Sequence, residues 1–133
     1  MITSPQENAL IGRIDAVAPG AYAQLADVST FDEEQARRIA CVILQACCAA
    51  QHVGSILAGR KAFKQLPVAW TKVNLQSVVG EAVDLTDAWE FRRFLELLHE
   101  SNSEMLRGYV AAGLSSNDPE ICEIACEFAN QES

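Results

Sequence analysis

Cys122 and Cys126 lie four residues apart, so a helix would put both thiols on one face, and Cys48 and His52 have the same spacing. Thiolate sulfur and imidazole nitrogen are common zinc ligands, and these four residues would fill a tetrahedral shell. The close Cys-x-x-Cys pair of structural zinc sites is absent, however, and Cys41 and Cys47 sit in the same apolar surroundings with no ligand role. Packing of small, reduced thiols in a core accounts for the five cysteines more simply. No metal site and no cofactor are expected. An odd number of cysteines buried inside apolar runs suits a reducing compartment, so the expected location is cytoplasmic. The adjacent Cys47-Cys48 pair has no basic neighbour to lower a thiol pKa, which argues against redox chemistry.

The two histidines, His52 and His99, belong to no motif with a serine or cysteine nucleophile. His99, between Leu98 and Glu100, reads as a surface or capping residue at a helix end, where the dipole favours a cation. Neither a glycine-rich phosphate loop nor a His-Glu-x-x-His pair occurs. Carboxylates are plentiful, but glycoside chemistry needs one acid held neutral in a cleft, and here helical periodicity points the acids to solvent. No catalytic residue is therefore assigned, and the chain is read as a non-enzyme.

The carboxylates carry a different signal. From Met1 to Leu66 six Lys and Arg balance six Asp and Glu, whereas from Pro67 to Ser133 four face twelve, so the whole net charge of −8 falls in the second half. Arg92 and Arg93 precede Glu96 by four and three residues and should neutralise part of that surplus. Beyond them, Glu96, Glu100 and Glu104 follow at intervals of four, and Glu120, Glu123 and Glu127 share a second helical face. Like charges at these spacings cost about 0.2–0.5 kcal/mol per pair. A basic partner would relieve that cost, and a solvated face that aids solubility is the plainer reading of the same pattern. Nucleic acid is excluded as a partner because phosphate affinity needs clustered Lys and Arg. The most apolar stretch, Ile39 to Ala50, is too short for the roughly 20 residues of a membrane span.

These residues have to be placed by helices. Half of the 133 residues are apolar, enough for a single domain with a substantial core. Ser4-Pro5-Gln6-Glu7 reads as a reciprocal cap opening a helix that stops near Pro19-Gly20. Thr30 with Glu33 opens a second helix to about Ala50, apolar on nearly all sides from Ile39 and therefore central. A third runs from Gln51 to Leu66 and a fourth continues from Pro67 through Val83, where three-and-four spacing outweighs the β-branched content. A fifth follows the polar Asp84-Leu85-Thr86-Asp87 connection, Ser101 with Glu104 caps a sixth, and Asp118-Pro119 opens a seventh. The expected fold is all-α, with about seven antiparallel helices in one domain: N-terminal helices over 1–50 and helical hairpins over 51–133.

Two segments resemble HEAT-like α-helical repeats: Leu57-Ala58-Gly59-Arg60-Lys61-Ala62 running to Leu66-Pro67, and Gly113-Leu114-Ser115-Ser116-Asn117-Asp118-Pro119-Glu120-Ile121. The likeness covers Leu57 to Phe128 and implies a stack of hairpins with an extended binding surface; an irregular helical bundle would give the same pattern. Leu85-Thr86-Asp87-Ala88-Trp89-Glu90-Phe91-Arg92-Arg93 is similar to a segment of small bacterial helical proteins, some of them found beside secreted toxins. That resemblance implies an immunity-type protein whose Glu96, Glu100, Glu104, Glu120, Glu123 and Glu127 meet a basic toxin domain, with Trp89 or Tyr109 as aromatic anchors. The alternative is a scaffold that self-associates, as a homodimer, through the apolar part of the second helix.

Overall fold

The structure, a computed structural model, describes residues 4–132. Every regular element among them is helical and none is a strand. Seven α-helices run Pro5–Val17 (α1), Glu33–Cys48 (α2), Val53–Phe63 (α3), Val68–Ala82 (α4), Ala88–Ser101 (α5), Ser103–Leu114 (α6) and Pro119–Glu132 (α7). An eighth element, a 3₁₀ segment at Ala21–Thr30, occupies what the sequence marks as a connection; its backbone leaves helical geometry at Gln24 and Asp27. Buried Ala21, Leu25 and Val28 give it a reason to coil, because the apolar positions recur every three to four residues.

The chain divides into two compact units, residues 1–83 and 84–133. The boundary expected near residue 50 falls inside the first of these, because both α3 and α4 pack against α2. In that unit α2 is the hub and also receives α1 and the 3₁₀ segment. Ile39, Ile43, Leu44, Cys47 and Cys48 of α2 are fully buried, each aliphatic side chain worth about 1.5–3 kcal/mol. Most of the apolar run of α2 is therefore core, with Cys41 and Val42 half-buried. Gly59 permits a close approach of α3 to α2, since a Cβ there would lie 2.8 Å from the Cys47 backbone nitrogen.

Several caps differ from the sequence reading. Ser4 accepts from the Glu7 backbone N–H at 3.0 Å as expected, while the bonds seen for the Glu7 carboxylate among the described residues run to other elements than the cap. The carboxylate binds Lys61 of α3 at 2.9 Å and accepts from the Tyr22 hydroxyl at 3.5 Å, joining three elements. Asp32, not Thr30, caps α2 by accepting from the backbone N–H groups of Glu34 and Gln35. Thr30 instead donates its hydroxyl to the Asp27 carbonyl at 2.7 Å, closing the 3₁₀ segment. Arg37 ties α2 to α4 by pairing with Glu81 while also binding Glu34 at 2.6 Å.

In residues 84–133, α5, α6 and α7 pack against one another around Phe91, Phe94, Leu95, Leu98, Leu106 and Ala125. Phe94 meets Tyr109 edge to face, with centroids 4.8 Å apart and planes at 89°. A Cβ on Gly113 would lie 2.7 Å from Phe91 and 2.8 Å from the Ala125 Cβ, so glycine is what lets α6 seat against α5 and α7. Asn102 replaces the expected Ser101 as the cap of α6, accepting from the Met105 N–H at 3.2 Å. Ser101 ends α5 with its hydroxyl donated to the Leu97 carbonyl.

Candidate functional site

The unit boundary sharpens the charge asymmetry. Residues 1–83 carry seven cations and seven carboxylates, whereas 84–133 carry three against eleven, so all of the −8 belongs to the α5–α7 unit. Four of those eleven carboxylates build helix starts. Asp84 accepts from both the backbone N–H and the hydroxyl of Thr86, which holds its carboxyl below the ordinary carboxylate range. Asp87 caps α5 by accepting from the Glu90 N–H at 3.0 Å, and Glu90 accepts from the Asp84 N–H at 3.1 Å. Asp118 accepts from the Glu120 N–H at 2.9 Å at the start of α7. The Asp87-x-x-Glu90 spacing could have revealed the α5 cap, which a reading of 84–87 as a plain polar connection passes over.

The six carboxylates expected to form a binding surface separate into two groups. Glu96, Glu123 and Glu127 gather around Arg92, and all three raise the pKa of its guanidinium, Glu127 most of all. Arg92 does not reach along its own helix to Glu96 as the spacing suggests. It crosses from α5 to α7 and holds Glu127 with two hydrogen bonds of 2.9 and 3.3 Å, which lowers the Glu127 pKa. Arg93 takes Glu96 at 2.7 Å and stacks over the Trp89 ring at 4.0 Å. Glu100, at the end of α5, and Glu104 and Glu120, in the first turns of α6 and α7, lie outside that group and are exposed. Exposed Glu123 completes the outward acids and, among the described residues, forms no ion pair.

The aromatic anchors differ. Trp89 stays 41% exposed with Arg93 laid over it, while burial of Tyr109 against Phe94 pushes its phenol pKa up. Trp and Arg are both among the residue types enriched in the energetically dominant positions of protein interfaces.

The metal-ligand candidates have other tasks. His52 caps α3, its Nδ1 accepting from the Gly54 N–H at 2.9 Å, and its Nε2 faces the Gln6 side-chain amide at 3.2 Å. Cys48 is fully buried in α2. Cys126 is exposed on α7, where desolvation, Cys122 and Glu123 push its thiol pKa up, and Cys122 points its thiol to the Leu114 carbonyl. Among the described residues no three or more His, Cys, Asp or Glu side chains are grouped as a metal would require. An open cleft of about 440 Å³ lies in the first unit, floored by Leu10 and alanines of α1 and α2. Arg13 and Gln45 bridge its rim at 3.1 Å, and its lining holds no carboxylate, thiol or imidazole.

No protein-family model matches this chain, and neither the curated proteins nor the solved structures yield a match. No described helix is long and apolar enough to cross a membrane.

Proposed function

We propose that this chain is a non-enzymatic protein-binding module whose residues 84–133 dock on a basic protein. In its most concrete form it is a cytoplasmic, immunity-type protein that occupies the basic surface of a toxin domain. One observation carries the reading: the entire −8 is held by a unit of fifty residues in which Glu100, Glu104, Glu120 and Glu123 face solvent. Glu96 and Glu127, paired with Arg93 and Arg92, serve to fix that surface more than to meet a partner. Trp89 supplies apolar area beside it. The likeness of Leu57 to Phe128 to HEAT-like repeats, and of Leu85 to Arg93 to bacterial proteins found beside toxins, supports the same reading. Complementary charge of this kind accelerates capture more than it adds affinity.

The test uses the tagged full chain to capture proteins from a lysate of its source at low and moderate salt, with captured chains identified by mass. A single basic protein is expected, retained at low salt and weakened as salt screens the contact. Reversal of four acids, Glu100→Lys, Glu104→Lys, Glu120→Lys and Glu123→Lys, should slow association with it by about tenfold or more while helical content holds. Unchanged association by that variant would remove these residues from the interface.

A further inference from the structure

Every residue that lines the cleft belongs to the first unit, and the docking reading makes no use of it. Its volume of about 440 Å³ falls within the roughly 300–1,000 Å³ of sites that hold small organic molecules. The space exists because α1, α2 and α4 line it with Ala9, Ala46 and Ala82, whose side chains are too short to fill it. Leu10, Ala46 and Ala82 are buried, so the bottom of the cleft is apolar.

Four polar side chains, Gln6, Arg13, Gln45 and Ser55, complete the lining. His52 Nε2 faces the Gln6 side-chain amide at 3.2 Å, and Gly54 leaves that amide room, since a Cβ there would lie 3.0 Å from Gln6 Oε1. Arg13 donates to Gln45 Oε1 at 3.1 Å. It is the one charged residue in the lining, and among the described residues it forms no ion pair. Its own helix supplies no carboxylate, because the positions three and four residues away are Ala9, Leu10, Ala16 and Val17. A carboxylate taking the place of the neutral Gln45 amide would gain charge-assisted hydrogen bonds, roughly twice as strong as neutral ones. Ser55 sits in the first turn of α3, where the helix dipole also favours an anion, and its hydroxyl adds a donor.

We infer that this cleft is a binding site for a small organic carboxylate with an aliphatic body, its carboxylate on Arg13 and its chain over Leu10, Ala46 and Ala82. The planar guanidinium presents a fork of donors that matches a carboxylate with two parallel bonds. A single cation suits a monoanion, whereas a phosphate dianion would keep surplus charge and leave the apolar floor uncovered. A cationic ligand would face Arg13 with no acid in the lining to receive it.

Titration of the full chain with hexanoate, followed through backbone amide shifts, tests it. Saturable shifts are expected at Ala9, Arg13, Ala46 and Ser55 below about 10 mM, a range that ligands of this size reach. Hexanol, which keeps the chain and lacks the charge, should bind about tenfold more weakly, and hexylamine and inorganic phosphate more weakly still. Arg13 is exposed and its bond to Gln45 joins two surface side chains, so its variants should keep the helical content. Arg13→Gln should lose about tenfold in hexanoate affinity and bind hexanoate and hexanol alike. Arg13→Glu should reverse the order and take hexylamine ahead of hexanoate, a change that a purely structural role for Arg13 would not produce. Wild-type chain without saturable shifts, shifts confined to residues outside the lining, hexanol or phosphate binding as tightly as hexanoate, or full hexanoate affinity in Arg13→Gln would each overturn the inference. Capture of a basic protein is read through the acids of residues 84–133, so either result here leaves the proposed function to its own test.

Discussion

Residues 1–83 and 84–133 use their charges in opposite ways. In the first unit, ion pairs join elements distant in sequence: Glu7 with Lys61 connects α1 to α3, and Arg37 with Glu81 connects α2 to α4. Its seven cations match its seven carboxylates, and the net is zero. In the second unit Arg92 and Arg93 hold Glu127 and Glu96, four acids are spent on helix starts, and Glu100, Glu104, Glu120 and Glu123 are exposed. The comparison teaches that net charge alone misleads. A neutral unit contains a cationic stretch, and an acidic unit contains a cationic hub at Arg92.

The largest expected effects break the packing of one unit at a time. Phe94→Ala removes a fully buried ring and its edge contact with Tyr109, and should cost about 3–5 kcal/mol in chemical denaturation, with faster amide exchange concentrated in α5–α7. Gly113→Ala in that unit and Gly59→Ala in the first should each cost about 1–3 kcal/mol, because the added methyl meets Phe91 and Ala125 or the Cys47 backbone. An unchanged midpoint for either glycine variant would show that the helices separate easily.

Smaller effects sharpen the contrast in charge use. Asp87→Ala should lower stability by about 0.5–2 kcal/mol through loss of the α5 cap, whereas Asp87→Asn should retain most of it. Acidification should act through the same unit. Asp84 and Glu127 have folded-state pKa values below their ordinary ones, so the stability they contribute is present above the ordinary carboxylate range and is lost as pH falls through and below it. A melting temperature that stays flat between pH 7 and 5 and declines at lower pH checks this, and Glu127→Gln should flatten part of the decline. The smallest effect is chemical: brief alkylation of the native chain should label exposed Cys126, slowly because its thiol pKa is raised, while Cys47 and Cys48 react only after unfolding. Mass mapping of the labelled peptides reads this directly.

Helix existence was legible because apolar spacing and caps are local. Ser4-Pro5, Asp118-Pro119 and the run from Ile39 announce α1, α7 and the buried α2 without any knowledge of neighbours. Cap identity was harder to read where two candidates lie side by side, as Ser101 and Asn102 or Thr30 and Asp32 do, because the backbone turn decides which side chain faces the open N–H groups. The candidate site was half legible. Its six glutamates were recognisable from their spacing, but the spacing of Arg92 before Glu96 pointed along one helix, and the packing of α5 on α7 sent that arginine to Glu127 instead.

The sequence by itself determined the helical class, the central burial of α2 and the confinement of the net charge to the second half, since each follows from residue type and period along one chain. Tertiary structure alone decided where the compact units divide, which carboxylates are neutralised, and why Gly59 and Gly113 must be glycine. Those outcomes depend on distances between segments far apart in sequence, and no local period encodes such distances.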